Sequence, residues 1–565
     1  MIERAYCLGL DFGTNSVRAL LADAADGREV ASAEAVYASG RGGVILEAAE
    51  PDLARQHPGD YVRGLESAVL EVLDAARRAE AGFSAEKVIG LGAAATGSTP
   101  LPVDRSGRPV ALSPRFREHP AAQAWLWKDH TAHEEAGLIT WLAQKEHPEY
   151  LAKSGGAYSS EWFFSKIFRC LRIAPEVFDA AWTWVELSDF LPALLTGTLD
   201  PARMRRNRCA AGHKAMWNEE WGGLPSEEFL GRLDSRLAGL RRRLYDRTFT
   251  ADSPAGGLSP EWSGRLGLRP GTPVACGALD AHLGAVGSNA APGRMVKIIG
   301  TSTCDIVVWP KSEPLYDVPG LCGIVDGSVL PGFFGLEAGQ SAVGDIFHWF
   351  VNTLQAGGPG RGSHEKLAAS AAALRPGESG LLALDWNNGN RTVLVDQRLT
   401  GLLLGQTLQT EAAEVYRALI EATAFGALVI INRLEEYGVR VEEIVACGGI
   451  VEKNPLLLQI YADVLGREIH VAPSGSASAL GAAMAGAVAA GTSRGGHGDF
   501  PSAQRAMCAA PRRVVRPQPG ATTVYGELFR LYVRLHDAFG KENEGEPLYP
   551  VMKDLLALRD RQRRL

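Results

Sequence analysis

The sequence predicts an α/β protein of two related domains facing each other across a cleft. Three observations predict it. A strand–turn–strand pattern with a small polar turn occurs once in each half. Residues 6–10 run into DFGTNS (11–16) and on to 17–21; residues 295–299 run into GTST (300–303) and on to 306–309. Strand and helix patterns alternate on both sides of a composition break at 268–273. At 565 residues, the chain is too long for one ordinary core. Two hairpins of small hydroxylated residues suggest a phosphate gripped from both sides, as in an enzyme that uses ATP between two domains.

The elements follow in order. Residues 60–79 carry the helical period, with Leu65, Val69, Val72 and Leu73 on one face. Val88, Ile89 and Leu91 read as a buried strand. Residues 203–221 turn rich in Arg, Trp and Gly, poor material for a regular element. Beyond the break, 274–277 reads as a strand and 278–286 as the start of a helix, with the hinge expected at 270–293. In the second half, 410–434 reads as a long helix, 444–447 as a strand and 455–465 as a helix. Residues 477–490 form a small-residue helix able to pack very close to a neighbour. Patches at 357–362 and 491–498 read as loops, 522–540 as an amphipathic helix, and the basic RDRQRR at 559–564 as a frayed end.

Composition narrows the function classes. Hydrophobic content of 46% and charged content of 22% fit a globular protein. A net charge of −7 gives no electrostatic reason to expect nucleic acid. The eight cysteines are scattered and none forms C-x-x-C, so reduced thiols are expected rather than disulfides or a zinc ribbon. The first apolar run stops at Asp11, Glu421 interrupts 418–431, and 477–490 is mostly Ala and Gly. A cytoplasmic protein without leader or membrane span is expected.

The usual nucleotide motifs are missing. Gly540-Lys541 is followed by Glu542, so there is no Walker A loop, and no G-x-G-x-x-G follows a strand. DFGTNS can supply the same chemistry. Asp11 ends a strand where it could hold hydrated Mg²⁺, Gly13 lets the backbone approach a phosphate, and Thr14 and Ser16 add hydroxyls. A plain hairpin with Asp and Gly at its turn is the alternative. GTST is weaker alone, and the two together are stronger than either. In ACGGIVEKN (446–454) Gly448-Gly449 after a strand permits close approach of a ligand or, equally, close packing. In GALDAHLGAVG (277–287) Asp280 lies between the hairpins. It can be a base for phosphoryl transfer to an alcohol or an N-cap, and spacing does not decide. Aromatics stand beside polar residues at 125–130, 160–163 and 213–217, as a sugar-stacking surface or as the edge of an aromatic core. His130 and His133 have metal-ligand spacing, but nothing completes a site.

Taken together these stretches resemble the FGGY family of carbohydrate kinases, and within it the ribulokinase branch. The resemblance spans 6–540 and rests on GLDFGTNSVRAL, TGSTPLPVD (96–104), LWKDHTA (126–132), SSEWFFSKI (159–167), AAGHKAMW (210–217), IGTSTCDI (299–306), GLEAGQSAVGDIFHWF (335–350), LDWNNGNR (384–391) and ATAFG (422–426). It implies two actin/hexokinase-like domains of ribonuclease H-like topology, with an ATP and sugar cleft between them. Residues 1–285 would carry the sugar site and the Mg²⁺-associated hairpin, 290–505 the second hairpin and the adenosine turn, and 506–565 a helical extension. It implies Asp280 as base, with Gly97, Trp127, Lys214 and Glu337 on the sugar. Asp11 would be associated with Mg²⁺, with Gly13, Thr14, Gly300, Thr301 and Ser302 on the phosphates and Gly448, Gly449 and Asn454 on adenosine.

The implied reaction is ATP-dependent phosphorylation of the 5-hydroxyl of L-ribulose, in L-arabinose breakdown. Its partner would be a small ketopentose, with no nucleic acid or membrane, and a homodimer is an allowed assembly. The rivals are a family kinase for D-ribulose, ribitol or xylulose, a non-catalytic sugar sensor, and a chaperone-like ATPase. Two departures from the branch pattern stand out: Asn15 where Asp is usual, and Ala94 where G-V-D usually ends.

Overall fold

Two seven-stranded sheets organise the chain. The computed structural model describes residues 4–358, 363–542, 548 and 551–564. The first sheet runs in the order Pro254–Gly257, Pro273–Ala275, Val88–Ala95, Tyr6–Phe12, Ser16–Asp23, Glu29–Val36, with Ala278–Leu279 also paired to Val88–Ala95. The second runs Gly323–Asp326, Phe333–Ala338, Thr303–Pro310, Arg294–Ile299, Glu443–Cys447, Ile469–Val471, Arg513–Val515. Each sheet contains the same five-strand unit. A three-stranded antiparallel meander is continued by two parallel strands beside its first strand. The two polar hairpins therefore occupy equivalent places in the two sheets, as the repeated pattern predicts.

Local chemistry explains the larger helices. Pro58–Ala79 starts on His57, whose ring accepts from the Gly59 N–H, and has Pro58 in its first turn. Its buried face includes Leu65, Val69, Val72 and Leu73, and Arg77 and Arg78 stand at its negative end. Ala412–Glu436 opens with a reciprocal capping box between Glu411 and Glu414. Pro455–Leu465 is capped by Asn454 and stopped by Gly466 in the left-handed region.

The small-residue helix Ala477–Ala490 does more than fill a core. It follows the last parallel strand of the second sheet yet lies on the strands Tyr6–Phe12 and Val88–Ala95 of the first. It also packs along the helix Asp280–Gly287. Backbones there approach so closely that a Cβ on Gly481 would stand 1.8 Å from the Leu283 carbonyl oxygen, and one on Gly287 2.1 Å from that of Ala477. The chain first passes between the sheets through Asp280–Gly287, inside the stretch 270–293.

Three expectations need correction or completion. Residues 203–221 contain a helix, Arg208–Lys214, capped by the Asn207 side chain and burying Cys209, Ala210, Ala211 and His213. The arginines and tryptophans that surround it mostly flank the helix; Arg208, its first residue, bonds Glu219 and lies over Trp217, while Arg206 and Trp217 are themselves buried. The basic stretch 559–564 is no frayed end: it lies in the helix Val551–Arg564, with Leu555 and Leu558 buried and Arg561 and Arg563 paired to Glu527 and Glu414. Of the loop expected at 357–362, Gly357 lies in a turn, Gly357 and Gly358 both have positive φ, and 359–362 lie outside the described residues.

The helix Pro519–Gly540 buries Tyr525, Leu528, Leu531, Tyr532 and Leu535 in the core of the second sheet, together with Leu555 and Leu558. All eight cysteines are free. Among the described residues, no helix is long and apolar enough to cross a membrane.

Candidate active site

A cavity of about 210 Å³ opens between the two sheets. Thr14, Thr96, Gly97 and Trp127 line it from the first half, Leu279, Asp280, Ala281 and His282 from the crossing helix. Ile298, Gly300, Thr301, Ser302, Cys304, Glu337, Arg391 and Ser478 line it from the second half.

The two hairpins enter as equivalent turns. In the first, the Gly13 N–H donates to the Ser16 carbonyl at 3.0 Å, and Gln56 Nε2 donates to the Thr14 carbonyl at 2.7 Å. Trp127 Nε1 donates to Thr14 Oγ1 at 3.1 Å, tying an indole to the first turn. In the second, amides of Val343, Gly344 and Asp345 donate to the carbonyls of Thr301 and Gly300, pinning the turn from behind while Thr301 and Ser302 line the cavity. The turn at Gly448 packs directly against it. Gly448 has φ +108°, and a Cβ there would stand 2.3 Å from the Ile299 carbonyl oxygen. Gly449 starts a short helix, Gly449–Lys453. Neither glycine lines the cavity. Asn454 is not brought to it either: its side chain accepts from the Leu457 N–H and caps a helix.

Asp280 is the first residue of its helix, one position past the cap Leu279, and its carboxylate accepts from the Ala281 N–H at 2.7 Å. It keeps some contact with the cleft yet lies deep among protein atoms. Burial, followed by the nearby Asp11 carboxylate, pushes it up to about 7. Asp11 pairs in register with Arg18 and Ala94. Burial pushes Asp11 up to about 6, partly offset by Arg18.

Lys214 and Glu337 meet across the halves. Lys214 Nζ donates to both carboxylate oxygens, at 2.7 and 2.9 Å. Burial works against both charges, but each holds the other ionised: Lys214 is raised, and Glu337 lies far below the usual carboxylate range, aided by His213 and His282. The Tyr158 hydroxyl donates to the Lys214 carbonyl at 2.6 Å.

A buried frame holds the Gly97 and Trp127 segments. Lys166 Nζ donates to the Ser98 carbonyl at 2.8 Å and the Leu126 carbonyl at 2.9 Å. Glu186 accepts from the Ser98 hydroxyl and, at 2.8 Å, from the Thr99 N–H. Arg55 pairs with Asp129 and lies 3.4 Å from the Trp125 ring centre. Of the three aromatic clusters, Trp127 lines the cavity, while Trp125, Trp162 and Trp217 belong to a buried core. His130 contacts Ser160 and Glu161.

Some cavity residues carry no role in the sequence reading. His282 follows Asp280 by two positions, inside a motif already singled out. Arg391 ends LDWNNGNR; its guanidinium reaches Glu161 of the first half at 3.1 Å and stands 5.8 Å from the Trp127 ring centre. Motif position was the only signal available for either. Ala94, by contrast, does not line the cavity. It is fully buried among Ala275, Ala278, Leu279 and Leu283. Asn15 donates to the Gly42 carbonyl and anchors the first turn.

Residues 6–287 match the N-terminal domain of the FGGY family of carbohydrate kinases, and residues 295–490 its C-terminal domain. The chain is 43% identical to the ribulokinase of Shouchella clausii over 572 residues, covering 99% of this chain and 98% of that one. It is 40% identical to the ribulokinase of Mycolicibacterium smegmatis, covering 99% and 97%. The xylulose kinase of Rhodospirillum rubrum superposes with a TM-score of 0.73 at 21% identity, covering 97% of this chain and 100% of that one. The ADP complex of Plasmodium falciparum glycerol kinase superposes at 0.74 and 15% identity, covering 94% and 98%. These two likenesses establish the shared actin/hexokinase-like fold. Matched by both domain profiles and by relatives of its own length, the chain belongs to the FGGY family of carbohydrate kinases and is a sugar kinase with ATP as co-substrate.

Proposed function

We propose that this kinase transfers the γ-phosphoryl group of ATP to the 5-hydroxyl of L-ribulose, giving L-ribulose 5-phosphate in L-arabinose breakdown. The observation that carries the chemistry is Asp280, raised to about 7 in the same cavity as both hydroxyl-bearing hairpins and Glu337. The sugar's identity is taken from the two full-length relatives named ribulokinase.

In this reading Trp127 stacks on the ketopentose, and Lys214 and Glu337 bond its hydroxyls, with Gly97 lining the same cavity and leaving room for Leu279 beneath it. Asp280 accepts the proton of the 5-hydroxyl as that oxygen attacks the γ-phosphorus in line with the departing ADP oxygen. Gly13, Thr14, Gly300, Thr301 and Ser302 hold the phosphates. Gly448 and Gly449, beside the second hairpin, receive the adenosine side. Asn454 acts there through the helix it caps.

The donor set also fits Mg²⁺. The Asp11 carboxylate raises the affinity of Asp280 for a proton, as a nearby like charge does, and a cation would relieve that repulsion. Asp11 would hold the ion, which when bound with ATP would neutralise phosphate charge. Approach of the two halves would exclude water from the cavity.

The test is sugar-dependent ADP release in a coupled assay with L-ribulose, D-ribulose, ribitol and xylulose. The highest kcat/KM is expected for L-ribulose. A higher value for another sugar would overturn the substrate, and no sugar dependence would overturn the reaction.

A further inference from the structure

The helix Arg208–Lys214 presents Cys209 and His213 four residues apart, on one face. His282, from the Asp280 helix, completes a buried trio whose ligand atoms all lie within 4.8 Å of one another. The two imidazole rings are 4.5 Å apart, centre to centre. His213 Nδ1 and both ring nitrogens of His282 are buried without a hydrogen-bond partner. Such orphans are costly in an apolar setting and call for an explanation. Two distances point to a fourth donor. Glu337 Oε2 lies 3.4 Å from His213 Nδ1 and 3.8 Å from His282 Nε2. Donors bound tetrahedrally to one small cation sit roughly 3.3–3.8 Å apart, given bonds of about 2.0–2.3 Å. The other nitrogen of His213 is held by Ser328 Oγ at 3.0 Å, the outer-shell contact that fixes a ligating imidazole.

We propose that Cys209 Sγ, His213 Nδ1, His282 Nε2 and Glu337 form a tetrahedral site for a thiophilic divalent cation of the Zn²⁺ class, distinct from the magnesium of the phosphate site. Sulfur and imidazole donors select such an ion and reject Mg²⁺. On binding, the Cys209 thiol gives up one proton to solvent and forms the metal–sulfur bond, and no redox change is involved. A contraction of roughly 1 Å closes the trio to bonding distance. Glu337 is then drawn from Lys214, and the cation competes with the sugar; this consequence rests on the role proposed above for Glu337.

The experiment is titration of the metal-free full-length chain with Co²⁺, followed by absorbance. A thiolate-to-cobalt charge-transfer band with intense tetrahedral visible bands is expected, saturating at one ion per chain and bleached by Zn²⁺. Cys209→Ser should abolish the near-ultraviolet band. Should that variant fail to fold, His282→Gln should weaken cobalt binding at least tenfold. No band in the wild type, or an unchanged band in Cys209→Ser, overturns the site. Glu337→Gln is expected to weaken cobalt binding at least tenfold, and an unchanged titration in that variant overturns Glu337 as the fourth ligand; weakening of cobalt binding by added L-ribulose separately tests the sugar-binding role of Glu337. The readout needs no turnover, so a chain that binds cobalt but phosphorylates no sugar would fail the kinase assignment alone.

Discussion

As the proposed base, Asp280 has two demands on it, to be ionised often enough to take a proton and basic enough to keep it. Burial and Asp11 meet both by moving it up to about 7. Below that pH the carboxyl is protonated and cannot accept the hydroxyl proton; above it the carboxylate can. The kcat/KM for the sugar should therefore rise with pH through about 7 on the free enzyme, and a profile flat from 5 to 9 would contradict this. Asp280→Asn should lower kcat by at least roughly 10²-fold while ATP binding, followed by calorimetry, survives. The cavity residues legible in the sequence here were those inside compact motifs, such as Thr14, Asp280, Thr301 and Ser302. The Lys214–Glu337 pair joins positions 123 residues apart, so no local pattern contains it, and only family resemblance pointed to it. Arg391 was missed for the same reason, since its importance lies in crossing to Glu161.

At the scale of elements, helix signals were readable where they were long. The 22 residues of Pro58–Ala79 display their period many times over, whereas the seven of Arg208–Lys214 make two turns, and their flanking arginines and tryptophans hide the buried alanines. Helix glycines divide by what faces them. Gly481 faces the Leu283 backbone at a distance no Cβ can occupy, so Gly481→Ala should cost at least roughly 1–3 kcal/mol as overpacking. Gly526 lies exposed in Pro519–Gly540 with nothing within 4 Å of an added Cβ. Gly526→Ala should stabilise by about 0.4–1 kcal/mol. Urea denaturation of both variants checks the opposite signs, and a destabilised Gly526→Ala or a neutral Gly481→Ala would refute the packing argument. Gly481→Ala should also lower kcat, because the helix it displaces begins at Asp280.

At the scale of the molecule, the repeated hairpin foretold two sheets of one topology. It did not foretell how they are joined. Composition marked 477–490 as a helix fit for close packing, but the partner it chose, the opposite sheet, depends on contacts no periodicity encodes. The basic end of the chain misled for a related reason. Its arginines face outward from a helix whose Leu555 and Leu558 complete the second core. A chain ending at residue 508 would lose these and the Tyr525–Leu535 layer. It is expected to be insoluble or to lose near-ultraviolet circular dichroism, and a native-like spectrum would count against the docking of that segment.

The crossing of Ala477–Ala490 onto the first sheet also sets a timetable for biosynthesis. When a ribosome has released the first 290 residues, the sheet face around Cys7, Leu20 and Ala94 still lacks its cover. At roughly 5–20 residues per second, the missing helix arrives some tens of seconds at most after the strands it must shield. Until then the nascent first half exposes apolar strand surface, an invitation to chaperones. Expressed alone, residues 1–290 should aggregate, and co-expression with 291–565 should recover soluble protein.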